Sequence, residues 1–263
     1  MSTIALLAAQ DALVLAAVIV LIALAYARNP LFVPAVSATV LFGAHTVLSS
    51  IVAMHGLGPL GPDTVVLTWI MQERSAAATT AMSVVSAAGG TLGMVVVAVA
   101  TCAVLLWQRR IRAAAVVVVA LGGAGVLVVV VKNLVARPRP PQSWQLAAES
   151  SYSLPSGHAL SSTVVLGIVA AVVVTRTTRT LIRWTTVALA AGAVAAIGVS
   201  RLYLGVHWPS DVLDGWLLGG AWLTVCVGAL FRVEPSPGEV AAADPLIPLG
   251  SIPAHEDRPP ARR

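Results

Sequence analysis

Lys132, Arg139 and Arg201 are three cations placed at the ends of apolar stretches, in a chain that otherwise keeps charge away from such places. Charge at membrane depth is costly and marks function more often than architecture. With too few carboxylates nearby to pair all three, the set calls for an external anion. A guanidinium fork matches phosphate oxygens in two places at once, while lysine adds a compact charge. Ser156 and Gly157 stand where an apolar helix should begin, so free backbone N–H groups and the helix dipole favour the same anion. These residue types in this pattern describe a phosphate cradle.

Two histidines and a carboxylate could supply a reaction to go with it. Asp211 follows His207 by four residues, one helical turn if the stretch is helical. A carboxylate on one ring nitrogen fixes the tautomer and leaves the other nitrogen as a nucleophile. His158 can protonate a leaving alkoxide and later take a proton from water. Clustered Asp and Glu residues of the kind that hold magnesium or a metal pair are missing from the sequence, so no metal and no cofactor are expected. The arginines would stabilise the transition-state charge instead.

The three segments read Lys132, six residues, Arg139-Pro140; then Pro155-Ser156-Gly157-His158; then Ser200-Arg201, five residues, His207, three residues, Asp211. This pattern resembles the signature of the type 2 phosphatidic acid phosphatase superfamily, which includes the vanadium haloperoxidases. Arg137-Pro138 is a second Arg-Pro pair, but four residues rather than six separate it from Lys132, so Arg139 takes the motif position. The resemblance covers residues 132–211. It implies that His207 is the nucleophile forming a phosphohistidine, with Asp211 its partner and His158 the acid. It also implies that Lys132, Arg139, Ser156, Gly157 and Arg201 bind the phosphoryl oxygens. The function so implied is hydrolysis of a phosphomonoester or pyrophosphate on a membrane lipid: phosphatidic acid, phosphatidylglycerol phosphate or an isoprenyl pyrophosphate. The alternatives are a lipid-phosphate binding or transport protein and a vanadate-dependent haloperoxidase-like enzyme.

What must position these residues is a membrane protein. Of 263 residues, 58% are hydrophobic and 10% charged, and the mean hydropathy is +0.90. A soluble domain carries roughly 25% charged residues, and a disordered chain needs the opposite composition. The net charge of +5 raises nucleic-acid binding, but the basic residues are too few and too scattered to track phosphates, so no nucleic-acid partner is expected. The expected partners are the bilayer and its lipid phosphates.

A span needs about 20 apolar residues. Seven windows qualify, near 5–27, 31–54, 89–107, 113–131, 158–175, 184–200 and 212–231. The fold expected is an all-α polytopic membrane bundle of six core helices plus an extra N-terminal one. Residues 1–30 form that extra helix, 31–232 the phosphatase domain and 233–263 a disordered cytoplasmic tail. The N-terminus lacks the basic stretch of a signal peptide, so its apolar run is expected to be retained. Between the second and third windows, residues 63–82 repeat apolar residues at helical spacing and suggest a short helix on the membrane surface.

Basic residues set the orientation. Eight (Arg28, Arg109, Arg110, Arg112, Arg176, Arg179, Arg183, Arg232) fall on one side, against Arg74, Lys132, Arg137, Arg139 and Arg201 on the other. The C-terminus is therefore expected in the cytoplasm and the motif residues on the extracytoplasmic face. Several residues carry plainer readings. Cys102 and Cys226 pack in apolar runs, and His45, His55 and Asp214 are structural. Trp107, Trp184, Trp208 and Trp216 sit near span ends as interfacial anchors. Arg137 and Tyr203 are candidates for substrate contact.

Overall fold

The computed structural model describes residues 32–234. The expected N-terminal span over 1–30 and most of the tail lie outside that range. Within it the chain forms α1 (Phe32–Met54), α2 (Gly61–Gln72), α3 (Ala76–Ala88), α4 (Thr91–Trp107), α5 (Ile111–Val135), α6 (Gly157–Val174), α7 (Thr180–Tyr203) and α8 (Pro209–Val233), with a 3₁₀ turn at Gln142–Trp144. Among the described residues there is no strand.

Five helices, α1, α5, α6, α7 and α8, are long and apolar enough to cross a bilayer. The count becomes six if α3 and α4, which meet at 48°, form one broken span. This is an all-α, multi-span membrane bundle. Its outer surface carries Val40, Leu92, Val99, Val118, Val129 and Leu189 exposed, as expected of helices whose solvent is lipid. Leu105, Val117, Leu160, Val164, Ile168 and Leu218 are buried between α4, α5, α6 and α8.

α8 is the central element, packed chiefly on α6, α1 and α5. Its approach to α6 depends on glycine: a Cβ on Gly215 would lie 2.7 Å from the Ser156 carbonyl oxygen and one on Gly219 2.9 Å from that of Leu160. Small residues at helix crossings are how membrane helices bring their backbones together. Here the crossing presses the start of α6, with its Pro-Ser-Gly-His turn, against the start of α8.

The sequence pattern over 63–82 predicts one surface helix, and the structure has two. α2 ends at Gln72 and α3 starts after Ser75, whose hydroxyl accepts the Ala78 N–H at 3.3 Å. The intervening Arg74 side chain explains the break. Its guanidinium donates to the carbonyl of Tyr203, the last residue of α7, at 2.7 and 3.0 Å, and to the Trp144 carbonyl at 2.9 Å. The Tyr203 hydroxyl in turn accepts the Ser75 N–H at 2.9 Å. The corner is thus tied across the end of α7, which satisfies a terminal carbonyl that the helix cannot. Tyr203 is a clasp in this corner.

The second break, at Gly89-Gly90, has a steric cause. Gly89 faces the Ile197 side chain of α7 with no room for a Cβ, and a Cβ on Gly90 would lie 3.3 Å from Nε2 of His158. Of the tryptophans, Trp107 and Trp184 are exposed near helix ends as the sequence suggests. Trp208 is buried, and its indole donates to the Pro138 carbonyl at 3.2 Å. Trp216 lines an apolar groove between α6, α7 and α8.

Candidate active site

Lys132 lies in the last turn of α5, His158 in the first turn of α6, Arg201 in the last turn of α7, and Asp211 in the first turn of α8. Helices that alternate in direction bring these ends to one side of the bundle. Arg139 reaches the same place from the α5–α6 connection, and His207 from the turn between α7 and α8. The residues singled out from the sequence are gathered within one buried cluster.

Asp211 is fixed before any chemistry is considered. It is the third residue of α8, and its Oδ2 reaches back to accept the Trp208 N–H at 2.8 Å, capping the start of the helix. A carboxylate there also meets the positive end of the helix dipole. Ser153 donates its hydroxyl to the same oxygen. Oδ1 accepts from Arg137 at 2.6 Å.

Arg137 has no exposed surface. It donates to Asp211, to Ser210 Oγ at 2.8 Å, to the Gly58 carbonyl at 2.8 Å and to Asp63 Oδ2 at 2.9 Å. Asp63 also accepts the Ser210 N–H at 2.8 Å, the Ser210 hydroxyl at 2.6 Å and the Leu60 N–H at 2.9 Å. Arg137 is therefore not placed to touch a substrate. It is the buried cation that joins α2, the α5–α6 connection and α8 behind Asp211.

His207 is buried, with Nδ1 3.5 Å from Asp211 Oδ2 and Nε2 3.2 Å from Nη1 of Arg139. Arginine has only donors, so Nε2 must be the accepting nitrogen and the ring proton sits on Nδ1, facing Asp211. Burial pushes the imidazole down to about 3, against the opposing pull of Asp211. The ring is neutral at physiological pH, and its Nε2 lone pair faces the cations.

Around that nitrogen the donors converge. Arg139 also donates to the carbonyls of Ser151 and Val206, each at 2.6 Å. Lys132 Nζ donates to Ser151 Oγ at 2.9 Å and to the Tyr152 carbonyl at 2.7 Å. Arg201 donates to Ser86 Oγ of α3 at 2.5 Å and pairs with Glu149. Glu149 also meets Arg139, at 3.5 Å. Ser156 is buried, its Oγ finds no hydrogen-bond partner among the described residues, and Gly157 follows as the first residue of α6. Among those residues, no three His, Cys, Asp or Glu side chains group as metal ligands.

The sequence reading missed Asp63, Ser86, Glu149, Ser153 and Ser210. Glu149 carried a signal: it is the one acidic residue between Glu73 and Asp211. Asp63, preceded by Gly- and Pro-rich turn residues, reads equally well as an ordinary helix start. His45 and Asp214 take the structural part the sequence suggests, with His45 Nδ1 2.8 Å from Asp214 Oδ1 between α1 and α8. They lie apart from the cradle.

An all-helical bundle with a cationic, histidine-bearing pocket at the ends of four helices defines a class. Residues 113–234, a little under half of the chain, match the family model described as the PAP2 superfamily. The chain is 38% identical over 90 residues to phosphatidylglycerophosphatase B of Bacillus subtilis (strain 168), covering 34% of this chain and 44% of that relative. It is 42% identical over 77 residues to the undecaprenyl-diphosphatase of Sulfolobus acidocaldarius, covering 28% and 32%. The aligned stretches thus span less than half the length of either relative. In fold, the chain is similar to a crystal structure described as the first transmembrane PAP2 type phosphatidylglycerolphosphate phosphatase from Bacillus subtilis. That likeness has a TM-score of 0.64 at 23% identity and covers 80% of this chain and 99% of the other.

Removing one partner of a fully buried ion pair costs about 3–5 kcal/mol, because the remaining charge is left uncompensated. Arg137→Ala should therefore lower the thermal unfolding midpoint in detergent sharply. Arg137→Lys should recover only part of the loss, since an ammonium cannot span the same four acceptors. An unchanged midpoint in Arg137→Ala would contradict the assignment.

Proposed function

We propose that the protein is an integral membrane lipid phosphate phosphatase, acting on a phosphomonoester or pyrophosphate of a membrane lipid through a phosphohistidine. The observation that carries this reading is the unprotonated Nε2 of His207, facing Arg139 in a pocket shared with Lys132, Arg201 and the unpartnered Ser156 hydroxyl. A transport protein would need the cations but not a nucleophilic histidine fixed by a carboxylate.

The geometry supports the following sequence. The phosphoryl oxygens lie against Lys132, Arg139, Arg201, Ser156 and the free N–H groups that begin at Gly157. Nε2 of His207 forms a bond to phosphorus while the bond from phosphorus to the lipid oxygen breaks. His158 donates its proton to the departing oxygen. Asp211, held by Arg137, stabilises the charge that the His207 ring acquires. Water then attacks phosphorus, His158 takes its proton, the nitrogen–phosphorus bond breaks, and inorganic phosphate leaves. The cations carry the developing charge throughout, so no metal is required. The names of the two relatives make phosphatidylglycerol phosphate and an isoprenyl diphosphate the first substrates to test, beside phosphatidic acid.

Purified protein should release inorganic phosphate from at least one of these lipids in detergent, and EDTA should leave the rate unchanged. No release from any of them would reject the function. Loss in EDTA that magnesium restores would show a metal requirement.

The excess of arginine at the α4–α5 and α6–α7 turns supports an extracytoplasmic site and a cytoplasmic C-terminus. Gln142 and Thr178 are exposed at opposite ends of the bundle. In a chain with Cys102 and Cys226 replaced by alanine, Gln142→Cys should react with an impermeant thiol reagent on intact cells and Thr178→Cys should not. The reverse pattern would invert the orientation.

A further inference from the structure

Glu149 stands where the proposed chemistry has no use for a carboxylate. It lies on the loop between the 3₁₀ turn and α6. One of its oxygens contacts Arg201 and the other lies 3.5 Å from Arg139. These are two of the three cations assigned to the phosphoryl oxygens. A carboxylate offers a guanidinium the same paired acceptor oxygens that a phosphate does, so the two anions compete for the same donors. The side chain keeps about a quarter of its surface exposed, 26%, and so has room to swing outward. The Arg137–Asp63 pair, by contrast, is sealed on all sides.

We propose that Glu149 is an internal stand-in for phosphate: it occupies the cradle between turnovers, and the phosphoryl group must displace it on entry. The inference rests on the cradle assigned above. It gives Glu149 two effects on the reaction. It neutralises Arg139 and Arg201 while the site is empty, and it returns to them as inorganic phosphate leaves. Burial pushes its carboxyl pKa up, but Arg201 and Arg139 outweigh that effect and hold it below the usual carboxylate value, so the stand-in stays charged at neutral pH. The cost falls on affinity, since a ligand that binds only the open form has its apparent Kd equal to the intrinsic Kd divided by the fraction of sites that are open.

The test is calorimetric titration of the detergent-solubilised protein with inorganic phosphate. Glu149→Gln keeps the shape and removes the charge. If the carboxylate fills the cradle in nine molecules of ten, its loss should lower the phosphate Kd about tenfold. Glu149→Ala should move it in the same direction. A Kd that is unchanged or raised in both variants would overturn the inference, because a residue that merely props up the two arginines would weaken phosphate binding when removed. The titration needs no turnover, so the two readings can fail separately. Tighter phosphate binding in a chain that hydrolyses no lipid phosphate would uphold the displacement and reject the phosphatase. A working phosphatase with an unmoved Kd would reject the displacement alone.

Discussion

A guanidinium without access to water must be matched by carboxylates, and Arg137 is such a group. Its position between Asp63 and Asp211 settles much of what surrounds it. Breaking either pair would leave a bare charge in a medium that solvates it poorly, so the segments bearing the three residues are locked together. Asp63 caps α2, Asp211 caps α8, and Arg137 follows directly on the C-terminal turn of α5. The same locking orients Asp211 toward His207, and hence sets the ring tautomer. Architecture and proposed chemistry share one carboxylate, with Arg137 on one of its oxygens and His207 beside the other.

On the open side of His207 the balance of charge is reversed. Lys132, Arg139 and Arg201 crowd one small volume, with Glu149 the one carboxylate among the described residues that touches any of them. Such an excess of like charge destabilises a folded protein unless an anion joins it, and this is the physical reason a phosphoryl group is proposed as the occupant. Backbone carbonyls of Ser151, Tyr152 and Val206 hold the cations in place meanwhile. The kink at Gly89-Gly90 completes the enclosure by letting α3 and α4 bend past His158.

Residues whose meaning depends on spacing along the chain were legible in the sequence. The intervals from Lys132 to Arg139 and from Arg201 through His207 to Asp211 are such cases, and so are the long apolar runs of α1, α5, α6, α7 and α8. The choice of Arg139 over Arg137 rested on an interval of six against four, and the two arginines do lie in different surroundings. What spacing could not convey was pairing between distant segments. Asp63 meets Arg137 across 74 positions and Arg74 meets Tyr203 across 129, and neither contact has a periodic trace. The helix break at Arg74 follows from its contact with Tyr203, and Trp208 is held inside by the Pro138 carbonyl, which is why a single surface helix and an interfacial tryptophan are the natural expectations from sequence.

The central claim is that His207 attacks phosphorus while His158 serves the leaving group. Rapid mixing of the two alanine variants with p-nitrophenyl phosphate tests it directly, because nitrophenolate departs without needing a proton and a lipid alkoxide does not. His158→Ala should give a stoichiometric burst of nitrophenol and an acid-labile phosphohistidine that turns over slowly. His207→Ala should give neither. A burst from His207→Ala together with none from His158→Ala would contradict the assignment and exchange the two roles.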